Sequence, residues 1–149
     1  MNNKQQYSSA DFDKTPTQIQ VNIPEKLIHK DVEKTGQKEA YSNERKHPVA
    51  FVDLPSKTIN MTIGGLIPGG TSNKHRHSYE TVLFVLEGEG HSEINGKKVE
   101  WQEGDAVYIP VWAWHQHFNH SKTNSAKYLA CENAALLQNL GNLAIREEI

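Results

Sequence analysis

Apolar and polar residues alternate along much of the chain from Val49 onward, which is the pattern of half-buried β-strands. Glycine-rich or polar turns separate the stretches that carry this pattern or a continuous apolar run, at residues 59–63, 81–86, 92–94, 97–99, 106–109, 114–118 and 127–132. Asn95-Gly96 lies between two of them and predicts a two-residue type I′ hairpin. Many short strands at close spacing predict an all-β fold, either an antiparallel barrel or a jelly roll.

The N-terminal part of the chain departs from this pattern. Residues 1–46 are polar and contain few large apolar side chains, which predicts an N-terminal arm that is partly disordered. Within it, residues 19–23 alternate apolar and polar positions and indicate a short edge strand or arm closed by Pro24. Pro24 also suits the first turn of a helix over the residues that follow it.

An apolar stripe at helical spacing marks the C-terminal end of the chain. It predicts a helix from Ala134 to about Glu147, with Asn133 as its N-cap. We therefore expect three parts, which are the N-terminal arm over residues 1–46, a barrel over 47–133 and a C-terminal helix over 134–149 that packs on the barrel.

Length and composition limit the classes of protein that fit. A chain of 149 residues suits one domain, and its net charge of −2, with mixed signs, includes no basic stripe for nucleic acid. No apolar run approaches the length of a membrane span, and the polar N-terminus is unlike a secretory signal. Cys131 is the single cysteine, which excludes an intramolecular disulfide and fits a reducing compartment. We expect a cytoplasmic protein that binds neither nucleic acid nor membranes.

Four of the eight histidines fall in two short segments, and within each segment they are two residues apart. Because side chains alternate faces along a strand, His75 and His77 point the same way, and so do His115 and His117. Two such pairs aimed at the interior of one barrel predict a metal site, since neutral imidazole suits zinc, copper, iron and nickel. The other four are expected to be ordinary hydrogen-bonded histidines: His29, His47, His91 and His120.

Strand parity also sorts the residues around these histidines. Arg76 and Gln116 have the opposite parity and point outward, so Arg76 is expected in a surface or interface ion pair. Asn119 is expected to fix a turn. Four aromatic residues either line a pocket or fill the core or an interface: Tyr79, Tyr108, Trp112 and Trp114.

Two motifs around the paired histidines resemble those of the cupin family. The first places His-x-His after Gly69 and five further residues, and it ends at Gly88. The second has Trp112 where the family has a glycine and otherwise matches at Gly104, Pro110, His115 and Asn119. The resemblance covers about residues 58–132 and implies a double-stranded β-helix barrel with a divalent metal inside, usually in dimers or larger oligomers. The metal ligands it implies are His75, His77 and His115.

The chain departs from the family at one ligand position. A glutamate is expected four residues after His77, and Thr81 stands there. Strand alternation sends the neighbouring Glu80 outward, unless a β-bulge turns it inward as a fourth ligand. In this respect the sequence is similar to gentisate-type ring-cleaving dioxygenases, which are cupins that bind Fe(II) through three histidines, lack the glutamate and usually have two cupin domains.

This resemblance implies a non-haem Fe(II) dioxygenase acting on a small aromatic or hydroxy-acid substrate, because three neutral ligands leave positions open for substrate and dioxygen. His117 faces the same cavity and is expected to be a hydrogen-bond donor or general base, or else a structural histidine at the barrel mouth. One alternative is a metal-binding cupin without oxidative chemistry, such as a sensor, isomerase or decarboxylase using Zn(II), Mn(II) or Ni(II). Another is a small-molecule binder that has lost its metal.

The outward face of the strand at residues 81–86 is too apolar for solvent, because it carries Val82, Phe84 and Leu86. Trp114 and Phe118 add to the apolar surface outside the barrel. A second subunit is the simplest cover for such a surface. We therefore expect a homodimer or a larger homo-oligomer.

Overall fold

The computed structural model describes residues 22–149 and contains ten β-strands and three helices in that range. The strands are β1 (Val49–Phe51), β2 (Asn60–Leu66), β3 (His75–His77), β4 (Thr81–Glu87), β5 (Glu89–Ile94), β6 (Lys97–Gln102), β7 (Ala106–Ile109), β8 (His115–Asn119), β9 (Ala126–Glu132) and β10 (Arg146–Glu148). The helices are α1 (Val32–Thr35), α2 (Glu39–Arg45) and α3 (Ala134–Gly141). No helix among the described residues is long and apolar enough to cross a membrane.

The strands form two five-stranded antiparallel sheets. The first sheet has the order β1-β2-β9-β4-β7, and the second has the order β10-β3-β8-β5-β6. Side chains alternate between the inside and outside of the barrel, so that on β4 Leu83 is buried while its neighbours Val82 and Phe84 are 45% and 44% exposed. The predicted jelly-roll fold, a double-stranded β-helix, is confirmed.

The two sheets contribute different chemistry to the interior. The apolar core comes almost entirely from the first sheet and from one residue of β6, and it comprises Leu66, Leu83, Val85, Trp101, Val107, Ile109, Ala126, Tyr128 and Ala130. The inner face of the second sheet carries buried polar side chains instead, namely His77, Ser92, His115, His117 and Asn119. Buried polar groups are costly unless they are hydrogen-bonded or bind a ligand, so this face is where a functional site is expected.

The predicted hairpin at Asn95-Gly96 is confirmed and fixes the register of the second sheet. Both residues have positive φ, 48° and 85°, as a type I′ turn requires. The turn joins β5 to β6 with Ile94 opposite Lys97. On its other side β5 pairs with β8, which places Ser92 opposite His117.

The segment before the barrel contains more structure than its composition predicts. Helices α1 and α2 precede β1, and Gly36 between them accepts a hydrogen bond from the Phe51 backbone N–H at 2.9 Å. The Tyr41 ring of α2 packs edge-on against the Phe51 ring at 4.8 Å between centroids. The helix expected after Pro24 is absent, and residues 22–23 form no strand, whereas residues 19–21 of the expected arm lie outside the described range.

The C-terminal helix is shorter than predicted. It begins at Ala134 as expected but ends at Gly141, and Asn142 takes the left-handed conformation that terminates helices. Asn133 does not cap it; its side-chain oxygen accepts the Glu80 backbone N–H instead. The expectation of helix to about Glu147 was therefore wrong, because the apolar stripe continues past a Gly-Asn stop signal. The chain end forms β10, which pairs with β3 beside the histidines.

Candidate metal centre

Strands β3 and β8 bring the three predicted ligands together. His75 lies directly opposite His115 in the antiparallel register, and His77 lies one strand repeat further on the same face. The His75 and His115 ring centroids are 4.1 Å apart, and those of His77 and His115 are 4.7 Å apart. One ring nitrogen from each of the three histidines lies within 4.8 Å of the others, which is close enough to hold a single metal ion. We call these three residues the inner histidine site.

Each histidine of the inner site is oriented by a backbone carbonyl two residues away. The Nδ1 atoms of His75, His77 and His115 lie 2.9, 2.6 and 2.8 Å from the carbonyl oxygens of Asn73, Tyr79 and Ala113. A carbonyl only accepts, so each Nδ1 carries the proton and donates it, and each Nε2 keeps a lone pair. Metal-binding histidines in proteins are held in this way.

Burial keeps these imidazoles neutral. Burial, with a smaller contribution from neighbouring histidines, lowers the pKa of His75 from 6.5 to about 4 and that of His115 to about 3. Burial also lowers the pKa of His77. Neutral imidazoles are the form that binds a metal, so the donor set fits a divalent transition-metal ion without prior loss of protons.

His117 faces the same cavity but has a different hydrogen-bond partner. Its Nδ1 lies 2.7 Å from the hydroxyl of Ser92, which also accepts the indole N–H of Trp101 at 3.0 Å. Ser92 is fully buried, and among the described residues only His117 can accept its hydroxyl proton. We infer from this that Nδ1 of His117 accepts and that its Nε2 carries the proton, so that His117 presents a donor where the other three present lone pairs.

The acid at position 80 does not reach the inner histidine site. The Glu80 side chain lies outside the barrel, where its carboxylate accepts the hydroxyl proton of Tyr108 at 2.9 Å. Thr81 is buried at the position where the family has its glutamate, and its hydroxyl lies 3.2 Å from the Glu132 carboxylate. No β-bulge turns Glu80 inward, because β4 pairs with β7 in regular register from Thr81 onward.

The inner histidine site opens into a cavity of about 350 Å³. Glu132 at the end of β9 lines this cavity and accepts a hydrogen bond from the Asn60 side chain at 2.7 Å. Burial raises the pKa of the Glu132 carboxyl, and the hydrogen bonds from Asn60 and Thr81 oppose this shift. Sequence reasoning missed Glu132, although it shares strand parity with the buried residues Tyr128 and Ala130.

A guanidinium group faces the same cavity from the segment before the barrel. Arg45 at the end of α2 lies over the Tyr41 ring at 4.4 Å, and its Nη1 is 4.0 Å from the Glu148 carboxylate. Its Nε is buried and has no hydrogen-bond partner among the described residues. Arg146 of β10 also lines the cavity and forms an ion pair with Glu148. A buried donor without a partner indicates a site for an anionic ligand group.

The aromatic residues near the histidines divide between inside and outside. Tyr79 lines the cavity and stacks on the His77 ring, with 4.0 Å between centroids and 1° between planes. Trp112 and Trp114 do not line the cavity; they hold the Arg76 guanidinium between them at 4.4 and 4.5 Å. As expected from parity, Arg76 forms an outer ion pair, with Glu147 at 2.6 Å.

The structure also gives the positions of Asn119, Trp112 and Tyr108. Asn119 holds a loop, as expected, because its amide donates to the carbonyls of Ile67 and Asn124. Trp112 has a φ of 62°, in the left-handed region that favours glycine, which explains why the family has glycine at this position. Tyr108 is 53% exposed and lies on the outside of the barrel.

Several curated ring-cleaving dioxygenases are similar to part of this chain. Gentisate 1,2-dioxygenase 1 from Aquipseudomonas alcaligenes is 40% identical over 57 residues, which are 38% of this chain and 16% of that protein. The 5-aminosalicylate 1,2-dioxygenase from a Comamonas species is 41% identical over 54 residues, which are 36% of this chain and 14% of that protein. The similarity therefore covers a small part of each relative and only a segment of this chain.

Solved structures extend the similarity beyond the matched segment. The crystal structure of salicylate 1,2-dioxygenase from Pseudaminobacter salicylatoxidans has a TM-score of 0.65 at 25% identity, over 74% of this chain and 35% of that chain. The structure of the same enzyme as an adduct with gentisate has a TM-score of 0.64 at 26% identity, over 72% of this chain and 31% of that chain. This chain thus spans about a third of the length of these structural relatives.

The family comparison converges on the same region as the motifs and the fold. The cupin domain model matches residues 63–131, a range that contains the inner histidine site and His117. The jelly-roll barrel and the dioxygenase relatives agree with that match. Residues 63–131 therefore match the cupin domain, and this part of the chain is similar to gentisate-type 1,2-dioxygenases.

Proposed function

We propose that this protein is an Fe(II)-dependent dioxygenase that cleaves a small aromatic acid, with His75, His77 and His115 as the iron ligands. The observation that carries the proposal is the convergence of three neutral imidazoles with no carboxylate among them. Three neutral ligands leave the metal its full charge and up to three open positions. When bound, Fe(II) would lower the pKa of a substrate hydroxyl and supply the redox chemistry that dioxygen requires.

The cavity beside the inner histidine site suits a single-ring acid. Its volume of about 350 Å³ lies near the lower end of the usual range for small-ligand sites, roughly 300–1,000 Å³. Arg45 supplies a buried donor that has no partner among the described residues, so in this proposal it binds the substrate carboxylate. A guanidinium paired with a carboxylate gives both charge and fixed geometry, which orients the ring.

Two further residues of the cavity handle the other polar groups of the substrate in this proposal. His117 donates from Nε2 to a substrate oxygen near the metal ligands, because its Nδ1 is occupied by Ser92. Glu132, on the first sheet, accepts from a hydroxyl or amino substituent on the ring, since each of its oxygens holds only one partner among the described residues. Their roles differ, because His117 acts next to the reacting oxygens while Glu132 selects the substituent.

A metal-binding cupin without oxidative chemistry is the second candidate. The same imidazoles accept Zn(II), Mn(II) or Ni(II), and this chain spans only 16% and 14% of the two dioxygenases described above. Such a protein would bind the same class of acid and leave dioxygen untouched. Oxygen consumption therefore separates the two candidates directly.

Oxygen uptake by the 149-residue chain loaded with Fe(II) tests the proposal. The panel contains gentisate, salicylate, 5-aminosalicylate and 1-hydroxy-2-naphthoate, and we expect uptake with at least one, with both oxygen atoms entering the product. His115→Ala should abolish uptake, whereas His29→Ala, which removes an imidazole remote from the cavity, should keep it. No uptake across the panel by protein that demonstrably holds iron would favour the non-oxidative candidate.

A further inference from the structure

Three potential metal-binding side chains meet on the outer face of the second sheet. They are His91 on β5, Glu100 on β6 and His120 just after β8, and we call them the outer cluster. His91 lies directly opposite Glu100 on one side and Phe118 on the other. His120 follows Phe118 by two residues and shares its face. Ser92, which follows His91, and His117, which precedes Phe118, point into the barrel. The outer cluster and the inner histidine site therefore lie on opposite faces of one sheet.

The distances within the outer cluster fit a shared cation. His91 Nδ1 lies 2.7 Å from His120 Nε2, and His120 Nε2 lies 3.6 Å from Glu100 Oε2. The three ligand atoms all lie within 4.8 Å of one another. Tetrahedral ligands at bond lengths of about 2.0–2.2 Å are separated by roughly 3.3–3.6 Å, so small rotations of the two rings would complete the geometry.

Neighbouring side chains already orient two of the three groups. The His91 ring stacks on Phe118 with 4.5 Å between centroids and 1° between planes, which fixes its plane. Lys98 holds Oε1 of Glu100 at 2.6 Å and leaves Oε2 turned towards His120. Side chains held by such contacts lose less conformational freedom when they bind a cation than free surface side chains do.

We propose that the outer cluster is a second metal site, which binds one divalent cation of the zinc class through His91, His120 and Glu100. Two imidazoles and one carboxylate suit Zn²⁺, Ni²⁺ or Cu²⁺, whereas Mg²⁺ and Ca²⁺ prefer sites built from oxygen atoms alone. The partial exposure of His120 and Glu100, at 39% and 59% of their side chains, leaves room for water to complete the coordination. The site is independent of the dioxygenase proposal, because it shares no residue with the cavity.

The competing explanation is a chain of hydrogen bonds without a metal. In that arrangement one histidine donates to the other, and the second donates to Glu100. From the sequence, His91 and His120 were expected to be ordinary hydrogen-bonded histidines, and they are 29 positions apart in the chain. The pairing of β5 with β8 brings them together, and a bound cation would take up the lone pairs of both imidazoles and the charge of the Glu100 carboxylate at once.

Zinc binding to the metal-free 149-residue chain tests the proposal. Isothermal titration with Zn²⁺ should show one more bound ion per chain in the wild type than in His91→Ala or His120→Ala. Glu100→Gln should weaken the same ion by about 10-fold or more, since it removes the anionic ligand. His29→Ala is the matched control, because it removes an imidazole outside both sites and should leave the count unchanged.

Nuclear magnetic resonance of the histidine rings gives a second readout that does not depend on counting ions. In His75→Ala and His115→Ala, Zn²⁺ should still shift the ring signals of His91 and His120. Equal zinc stoichiometry and affinity in the wild type and His91→Ala would overturn the outer site, whatever metal the inner histidine site binds. Loss of the extra ion in His29→Ala as well would also overturn it, by showing non-specific binding.

Discussion

The partner of each Nδ1 atom separates the histidines of the cavity into two kinds. His75, His77 and His115 donate from Nδ1 to backbone carbonyls, which leaves Nε2 free for a metal. His117 accepts the Ser92 hydroxyl proton at Nδ1, which makes its Nε2 a donor. The same type of side chain thus presents either a lone pair or a proton to the cavity, and the hydrogen-bond partner at Nδ1 decides which.

His117→Gln should keep the metal and lose catalytic rate. Gln retains a donor but not its position, so we expect the iron content to be unchanged and kcat/KM to fall about 10- to 100-fold. His115→Ala should instead lose the metal itself. Iron content measured beside oxygen uptake distinguishes the two variants, and loss of iron from His117→Gln would show that His117 is a ligand.

Arg45→Gln should weaken substrate binding more than it weakens metal binding. A charge-assisted hydrogen bond contributes about 1.5–3 kcal/mol, so we expect the Kd for an aromatic acid to rise about 10- to 100-fold. Arg76→Gln is the matched control, because Arg76 lies outside the barrel between two tryptophans. Calorimetric titration of the metal-loaded variants with salicylate measures the Kd of Arg45→Gln and of Arg76→Gln. Equal effects from the two substitutions would contradict the proposal that Arg45 binds the substrate carboxylate.

The elements of the barrel were largely predictable, whereas those that complete the cavity were not. Period-two alternation located the strands, and parity placed His75 and His77 on the inner face of β3. Helix α2 and strand β10 escaped prediction, because each is short and draws its stability from packing against other elements. Arg45 and Arg146 come from these two elements. A charged residue in a polar segment carries no sequence signal that it will face a cavity.

Gly36→Ala tests how α2 is attached to the barrel. A Cβ at Gly36 would lie 2.3 Å from the Phe51 carbonyl oxygen, so the segment must move away from β1. We expect a loss of about 1–3 kcal/mol in the free energy of unfolding, together with weaker binding of aromatic acids as Arg45 shifts. Gly65→Ala is the control, since a Cβ at Gly65 would lie 3.4 Å from its nearest neighbour, the Ala126 carbonyl oxygen. Urea unfolding and salicylate titration check both effects, and unchanged salicylate affinity in a destabilised Gly36→Ala would contradict the link to Arg45.

The metal-free protein as a whole should lose stability as the solution becomes mildly acidic. In the folded state the pKa values of His75 and His115 are about 4 and about 3, below the usual 6.5 that applies after unfolding. Above pH 6.5 both states are neutral, and below it only the unfolded state takes up protons. The free energy of unfolding should therefore fall from pH 6.5 towards about 4, by up to about 1.4 kcal/mol per pH unit for each histidine.

Urea unfolding between about pH 7 and about pH 5 measures this slope with little interference from carboxyl groups. His115→Ala should show a shallower slope than the wild type, because one depressed pKa is lost. His29→Ala should keep the wild-type slope, because His29 lies outside the inner histidine site and does not line its cavity. A wild-type stability that stays constant over this range would contradict the buried, neutral state of the inner histidines.

The exterior of the first sheet is expected to contact a second copy of the chain. Val82 and Phe84 are 45% and 44% exposed beside Tyr108, so an apolar strip runs along β4 and β7. Burying it in a homodimer or larger assembly would remove this strip from water. Size-exclusion chromatography with light scattering should give at least twice the monomer mass, and Phe84→Glu should shift it towards the monomer. A clean monomer of the wild type at micromolar concentration would refute the prediction.

The position of iron in the crystal tests the central claim most directly. Crystals of the Fe(II)-loaded protein, measured at the iron absorption edge, should show an anomalous peak bound by the Nε2 atoms of His75, His77 and His115, at about 2.1 Å from each. No carboxylate should coordinate the iron at this peak. Iron ligated by Glu80 or Glu132, or iron found only outside the inner histidine site, would contradict the account.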